Sequence, residues 1–306
     1  MDEFALIRRY FDRKGVASGV VFGIGDDGAV LAPSPDMQQV QVIDTLVEGT
    51  HFLSQTDPAD IAYRAVMVNL SDIAAMGATP RWMTLALTLN KANQQWIEAF
   101  AIGLLEAADR YEVTLVGGDT TAGPGITATI SITGEIASGA ALLRSGAMVG
   151  DGIYVTGTVG DAAGGLYLLE RDESDDELEQ RFLRPTPRLE VGKALVGRAN
   201  AAIDISDGLV GDLNKMLVAS NVGADLDIES LPISEALASC FDPDECHRFA
   251  LTGGDDYELC FTASDVYVAQ MSGITRIGTI NDSERLTCRL NNDIVEVDGS
   301  GYRHFK

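Results

Sequence analysis

The chain has 306 residues, 46% of them apolar, with mean hydropathy near zero, the length of about two ordinary domains or one large one and enough to bury a sizeable core. Its 46 acidic residues outnumber 22 basic ones, for a formal charge of −24. That balance argues against nucleic acid and anionic membrane as partners, since both need Lys and Arg to neutralise phosphates. A nucleotide that arrives with divalent cations is still admitted.

The opening MDEFALIRRYF carries acids and no unbroken apolar region, so it does not read as a secretory signal. Short strands are predicted at Val30-Leu31 and at Val40–Ile43, the second running into Asp44. Asp57 as N-cap and Pro58 at the first helical position start a helix predicted to reach Met76 and stop at Gly77. A second helix over Gln94–Arg110 feeds a buried strand, Val113–Val116, expected to end at Gly117-Gly118-Asp119. Ile126–Ile136 alternates apolar with small polar residues, the mark of a half-buried strand.

Glycine and aspartate concentrate near Gly146–Gly152, which places a domain boundary between 1–148 and 149–306. Beyond it a strand is predicted at Ile153–Thr156 and a helix at Ala162–Glu170. The acidic run Asp172–Glu179 reads as a solvated helix face or loop, and Arg184-Pro185-Thr186-Pro187 as a loop. A helix over Arg188–Ala199, a strand over Ala201–Ile205 and a helix from Asp207 follow. Strands around Glu258–Thr262 and Leu286–Val297 close the chain. Helices and strands mix in both halves, so the class is α/β to α+β with two domains. No apolar stretch of about 18 residues is present, so no membrane span is expected, and the expected location is cytoplasmic.

Gly23-Ile24-Gly25-Asp26-Asp27-Gly28 literally satisfies GxGxxG. A dinucleotide fingerprint needs a helix after it. Here Ala29–Pro33 reads as strand, and two carboxylates would face the pyrophosphate. A tight turn presenting Asp26 or Asp27 to a cation fits better. Asp27, Asp44, Asp72, Asp119, Asp204, Asp207 and Asp255 then form a set beside glycines or near predicted element ends. Each alone is an ordinary turn residue or cap. Together they suit Mg²⁺, which takes one or two carboxylates plus phosphate oxygens and water. Close carboxylate pairs repel by roughly 4 kcal/mol at an effective dielectric near 20, unless cations bridge them. The turn Thr252-Gly253-Gly254-Asp255-Asp256 echoes the first glycine-aspartate turn.

Other chemistries find no support. There is no GxxxxGK[ST], no protein-kinase catalytic motif, no serine nucleophile elbow, and no metal-ligand spacing among His51, His247 and His304. The four cysteines (Cys240, Cys246, Cys260, Cys288) form no CxxC pair and read as inert, reduced thiols.

The motifs GIGDDGAVL (23–31), DTLVEGTHF (44–52), NLSDIAAMGA (69–78), VGGDTTAGP (116–124), AIDISDGL (202–209) and LTGGDDYELCFT (251–262), in this order, resemble the thiamine-monophosphate kinases. That family shares a superfamily with aminoimidazole ribonucleotide synthetase and selenophosphate synthetase. The resemblance implies an N-terminal ATP- and Mg-binding domain whose strands complete a β-barrel across a homodimer, and a C-terminal α+β domain. It implies transfer of the ATP γ-phosphoryl group to thiamine phosphate, with several Mg²⁺ ions.

By position, Asp27, Asp44, Asp72, Asp119, Asp204 and Asp207 match magnesium ligands, with Ile43 contributing a backbone carbonyl. The resemblance puts Asp44, Asp119 and Asp207 at the centre of catalysis. Gly118, Asp119, Arg144 and Ser206 match ATP contacts; His51, Asp255 and Tyr302 match thiamine-phosphate contacts. Two positions depart from the family pattern. Val42 stands where a hydroxyl side chain is usual, and Asp255 where glutamate is usual. Two other readings stay open: a sister ATP-dependent enzyme of the superfamily, and a non-catalytic acidic protein that binds divalent cations.

Overall fold

Residues 7, 9–12, 18–298 and 301–302 are described in the computed structural model. They divide between two units, Met1–Ile73 with Ala78–Gly139, and Ala74–Gly77 with Ala140–Lys306.

In the first unit, β1 (Val20–Phe22) and β2 (Val30–Leu31) form an antiparallel pair around the GIGDDG turn, so strand follows the glycines as expected. Four longer strands build an open sheet: β3 (Met37–Val47), β4 (Thr79–Leu89), β5 (Thr114–Ala122) and β6 (Thr127–Ala137), in the order β3-β6-β4-β5. β6 pairs antiparallel with both β3 and β4, while β4 and β5 run parallel. A parallel pair needs a long crossover, and α2 (Gln94–Arg110) supplies it. Asn93 starts that helix, accepting hydrogen bonds from the amides of Gln95 and Trp96.

The helix α1 (Pro58–Ala75) ends one residue short of the expected Met76. Asp57 accepts from the Ala59 amide at 2.8 Å, as an N-cap should. Ala62, Val66, Met67, Leu70 and Ile73 are fully buried, and so are Asn69 and Ser71 on other sides of the helix. A helix buried around its circumference is a core element rather than a surface one.

Two expectations need correction here. β4 is not among the strands expected from the sequence, yet it lies inside the sheet, with Leu85, Leu87 and Leu89 buried in alternation. Nor does the strand after α2 stop at Gly117-Gly118-Asp119; β5 runs through them to Ala122 because they continue the pairing with β4. The four strands within one chain leave β3 and β5 as edges, so no closed barrel forms within the described residues of this chain.

The second unit holds a seven-stranded sheet in the order β13-β12-β9-β11-β7-β10-β8. Its strands are β7 (Gly152–Thr156), β8 (Ala199–Asp204), β9 (Gly223–Asp227), β10 (Leu259–Ala263), β11 (Ile274–Asn281), β12 (Leu286–Leu290) and β13 (Asp293–Val295). All pairs are antiparallel except β12 with β9. Its helices are α3 (Asp161–Leu169), α4 (Asp176–Leu183), α5 (Leu189–Leu195), α6 (Leu209–Ser220), α7 (Glu235–Cys240), α8 (Pro243–Thr252) and α9 (Asp265–Val268). Ile153, Val155, Ile203, Leu213, Met216 and Ile277 are among its core residues.

The acidic run turns into the start of α4. Asp175 caps the amides of Glu177 and Leu178, and the acids of the first turn sit at the positive end of the helix dipole. The helix expected over Arg188–Ala199 is shorter, because Gly197 adopts φ +73° and β8 begins at Ala199. No helix starts at Asp207 either: Gly208 takes φ +105° and α6 begins at Leu209. All four cysteines are free, and burial raises the thiol pKa of Cys246, Cys260 and Cys288. No helix among the described residues is long and apolar enough to cross a membrane.

Candidate active site

In the first unit the GIGDDG turn and the Gly117–Thr120 stretch of β5 enclose a cavity of about 640 Å³. Asp12, Asp26, Asp27 and Asp119 line it, and no Lys, Arg or His does so among the described residues. Ile7, Phe11, Leu85 and Leu115 give it an apolar side. Gly118 is required for its shape. A Cβ there would lie 2.0 Å from the Leu85 carbonyl oxygen, so any side chain would push β5 away from β4. The Asp27 amide donates to Asp26 Oδ1 at 2.9 Å, and the Thr120 amide to Asp119 Oδ1 at 3.0 Å. These short links order the carboxylates of the GIGDDG turn and of β5.

The other predicted residues of this unit do not line that cavity. Asp44 sits in the middle of β3 opposite Ile130, half-buried on the face that carries buried Val40 and Leu46. Ile43 points to the other face and is 66% exposed. The Val42 carbonyl accepts from Ser131 Oγ at 2.7 Å. Asp72 is half-buried in α1, and His51 Nδ1 accepts from the Val47 amide at 3.1 Å.

Among the described residues, no three Asp, Glu, His or Cys side chains are grouped closely enough to hold an ion by themselves. Mg²⁺ commonly takes one or two protein carboxylates and completes its octahedron with phosphate oxygens and water. Hard oxygen donors spread along one cavity therefore suit a cation that arrives with a polyphosphate better than a protein-caged ion.

In the second unit, backbone hydrogen bonds stitch three distant segments together. The Asp255 amide donates to the Ser206 carbonyl at 2.9 Å, the Tyr257 amide to Ile205 at 2.9 Å, and the Tyr302 amide to Asp207 at 3.1 Å. Ser206, Asp207, Asp255 and Tyr302 thus share one cluster of turns. Gly254, Asp255 and Tyr257 all have positive φ, at 77°, 60° and 52°. A Cβ on Gly254 would meet the Ser206 carbonyl at 2.6 Å. Aspartate enters the left-handed region more readily than most side chains, which accounts for Asp255 here. Its Oδ1 accepts from the Tyr257 hydroxyl at 2.9 Å. Asp204 is buried at the end of β8, while Arg144 is exposed and its carbonyl accepts from Ser220 Oγ at 3.2 Å.

Two residues of this cluster are not indicated by the motifs. Asp212, 1% exposed on α6, accepts the amides of both Ser206 and Asp207 on Oδ2 at 2.9 Å. Lys215 Nζ bridges Asp212 Oδ1 at 2.7 Å and Asp207 Oδ2 at 2.5 Å. Burial raises the Asp212 carboxyl against the lowering effect of Lys215. Burial pulls Lys215 down, but its bonds to Asp207 and Asp212 outweigh that and leave its pKa raised. The only sequence signal was their spacing after Ser206-Asp207 at the start of a helix.

A buried ionic network anchors the end of the 252–258 turn. Glu258, fully buried, accepts from Thr156 Oγ1 at 2.5 Å, from Arg188 through two nitrogens, and from Arg181 Nη2 at 2.8 Å. Asp256 accepts from the Gly160 amide at 2.8 Å and is pushed up to about 8 by burial, with Asp161 and Glu258 adding to the rise and Arg181 and that amide opposing it.

The unfolded carboxyl ionises above its ordinary value of 3.8, whereas the folded one holds its proton to about 8. Its contribution to stability is complete below pH 3.8, declines as pH rises, and is lost above about 8. Asp256→Asn is expected to flatten this slope, so that denaturant midpoints at pH 5 and pH 8 differ less than in the parent protein. An unchanged difference would contradict the protonated state.

Residues 25–136 match the AIR synthase related protein N-terminal domain, and residues 148–290 match the AIR synthase related protein C-terminal domain. The chain is 47% identical to the thiamine-monophosphate kinase of Escherichia coli, over 99% of this chain and 98% of that one. The crystal structure of thiamine-monophosphate kinase from Stenotrophomonas maltophilia is similar at a TM-score of 0.87 and 43% identity, covering 94% of this chain and 96% of that one. The structure of AaThiL complexed with AMPPCP and TMP is similar at a TM-score of 0.82 and 30% identity, covering 99% and 96%.

Proposed function

The chain belongs to the thiamine-monophosphate kinase family, and on that premise we propose that it transfers the γ-phosphoryl group of ATP to thiamine phosphate, giving thiamine diphosphate and ADP. The observation that carries this reading furthest is the cavity lined by Asp12, Asp26, Asp27 and Asp119 without a basic side chain among the described residues. A polyphosphate cannot enter such a cavity against four carboxylates unless cations accompany it. The relative that holds AMPPCP and TMP supports ATP and thiamine phosphate as the substrates.

Asp27, Asp44, Asp72 and Asp119 of the first unit, with the Ile43 carbonyl, and Asp204 and Asp207 of the second, are the proposed magnesium ligands. Bound Mg²⁺ would supply charge neutralisation and alignment of phosphate oxygens. Gly118, whose missing side chain lets β5 close against the Leu85 carbonyl of β4, is proposed to offer its backbone to the nucleotide; Ser206 and Arg144 are the proposed polar and cationic contacts to it. His51, Asp255 and Tyr302 are proposed to orient thiamine phosphate.

The acceptor is a phosphate monoester whose second ionisation lies near pH 6. Its oxygen is a nucleophile at neutral pH without a general base. The chain's task is then alignment and exclusion of water, which fits turns held rigid by backbone hydrogen bonds. The division of labour, with ATP and metal chemistry in 1–148 and an α+β domain in 149–306, is part of the same proposal. So is a homodimer: the 11-residue β3 is a sheet edge, and long unpaired edges are usually covered. Pairing this edge region with a second copy would extend the sheet toward a barrel.

The test is ADP release measured with thiamine phosphate, with thiamine, and with no acceptor. Release is expected with thiamine phosphate and Mg²⁺ only. Release with thiamine but not with its phosphate would overturn the assignment.

A further inference from the structure

Asp207 is proposed as a metal ligand, yet its carboxylate already has a cation. Lys215 Nζ lies 2.5 Å from Asp207 Oδ2 and 2.7 Å from Asp212 Oδ1. The three groups differ in exposure. Asp212 is 1% exposed, whereas Lys215 and Asp207 side chains are 40% and 33% exposed. Asp212 is fixed from two directions, since its other oxygen takes the amides of Ser206 and Asp207. Lys215 stands one helical turn beyond Asp212 on α6, the spacing at which side chains meet. The outer bond to Asp207 is therefore reachable by solvent, and the inner bond to Asp212 is not.

We infer that Lys215 is a tethered counter-ion of Asp207, which an incoming divalent cation displaces while Asp212 retains the ammonium. This rests on the metal role proposed for Asp207. Without a cation, Asp207 would repel buried Asp212 across a turn whose amides Asp212 must hold. Lys215 neutralises that pair and keeps the Ser206-Asp207-Gly208 turn in its binding geometry. On loading, only one of its two ion pairs is lost, and the metal takes over the charge on Asp207. Asp212 and Lys215 are positioning residues in this scheme, acting through Asp207 rather than on the substrates. The arrangement also sets metal affinity: a metal must compete with an attached ammonium, so uptake is weaker than a bare carboxylate would allow.

The experiment is a Mn²⁺ titration of the full chain with saturating AMPPCP, read by electron paramagnetic resonance, for the parent protein, Lys215→Met, Lys215→Gln, Lys215→Arg and Asp207→Asn. Both neutral variants are expected to bind Mn²⁺ about fivefold to tenfold more tightly at one site, as removal of an adjacent unit charge in a solvent-facing setting implies. Lys215→Arg should bind as the parent does, and Asp207→Asn should lose that site. Lys215→Gln keeps a hydrogen bond to Asp212, so it serves if Lys215→Met does not fold. Unchanged or weaker Mn²⁺ binding in the neutral variants, with the site lost in Asp207→Asn, would overturn the exchange while leaving Asp207 a ligand. Unchanged binding in Asp207→Asn would overturn both.

Discussion

Asp119→Asn is expected to lower kcat by roughly 10²–10³-fold, the scale on which removing one oriented electrostatic group slows a charged transition state. The substitution removes the charge and keeps the shape. Asp119 is exposed in β5 and lines the cavity, so no core packing depends on it. An asparagine oxygen can still accept the Thr120 amide that Asp119 Oδ1 accepts at 3.0 Å. The unfolding midpoint should therefore stay near that of the parent while turnover collapses. Asp44→Asn should act in the same direction, though its half-buried place in the middle of β3 makes a small loss of stability expected as well. Near-parental turnover of Asp119→Asn at saturating Mg²⁺ would remove Asp119 from the metal set.

Glu258→Ala should have the largest effect on the fold. The fully buried carboxylate holds Arg188 and Arg181, together with Thr156, whose hydroxyl also accepts the Leu259 amide. Removing it leaves two guanidinium groups without their central partner, which costs about 3–5 kcal/mol for a buried pair. The arginines keep 17% and 28% exposure, so water can recover part of that and the lower end is expected. Glu258→Gln should lose less, because it keeps the volume and one acceptor. Denaturant midpoints would decide this. An alanine variant as stable as the parent would show that the network does not hold the 252–258 turn.

The elements most legible in the sequence were those with local stop and start chemistry. Asp57-Pro58 fixes the start of α1 through its own side chain and ring, and no distant contact is needed to see it. β4 was harder to read. Its leucines alternate in the sheet, but Leu, Met and Ala are good helix formers, so propensity and period point different ways. Gly117-Gly118 looked like a strand end because glycine usually punctuates strands; here it is demanded by the Leu85 carbonyl on the neighbouring strand, a fact of tertiary contact.

The same holds for the candidate site. The glycine-aspartate motifs pointed to presented carboxylates, and Asp26, Asp27 and Asp119 do line the first-unit cavity. The cluster of Ser206, Asp207, Asp255 and Tyr302 depends on backbone bonds between segments far apart in sequence, which no spacing rule reveals. Asp212 and Lys215 stand three residues apart on α6, and only the fold shows them facing Asp207.

The carboxylate-lined cavity is proposed to admit ATP only in company with divalent cations. Calorimetric titration of ATP into the protein, with Mg²⁺ in one cell and EDTA in the other, tests it most directly. Saturable binding with Mg²⁺ and no detectable heat with EDTA is the predicted result. Equal affinity in both cells would contradict it.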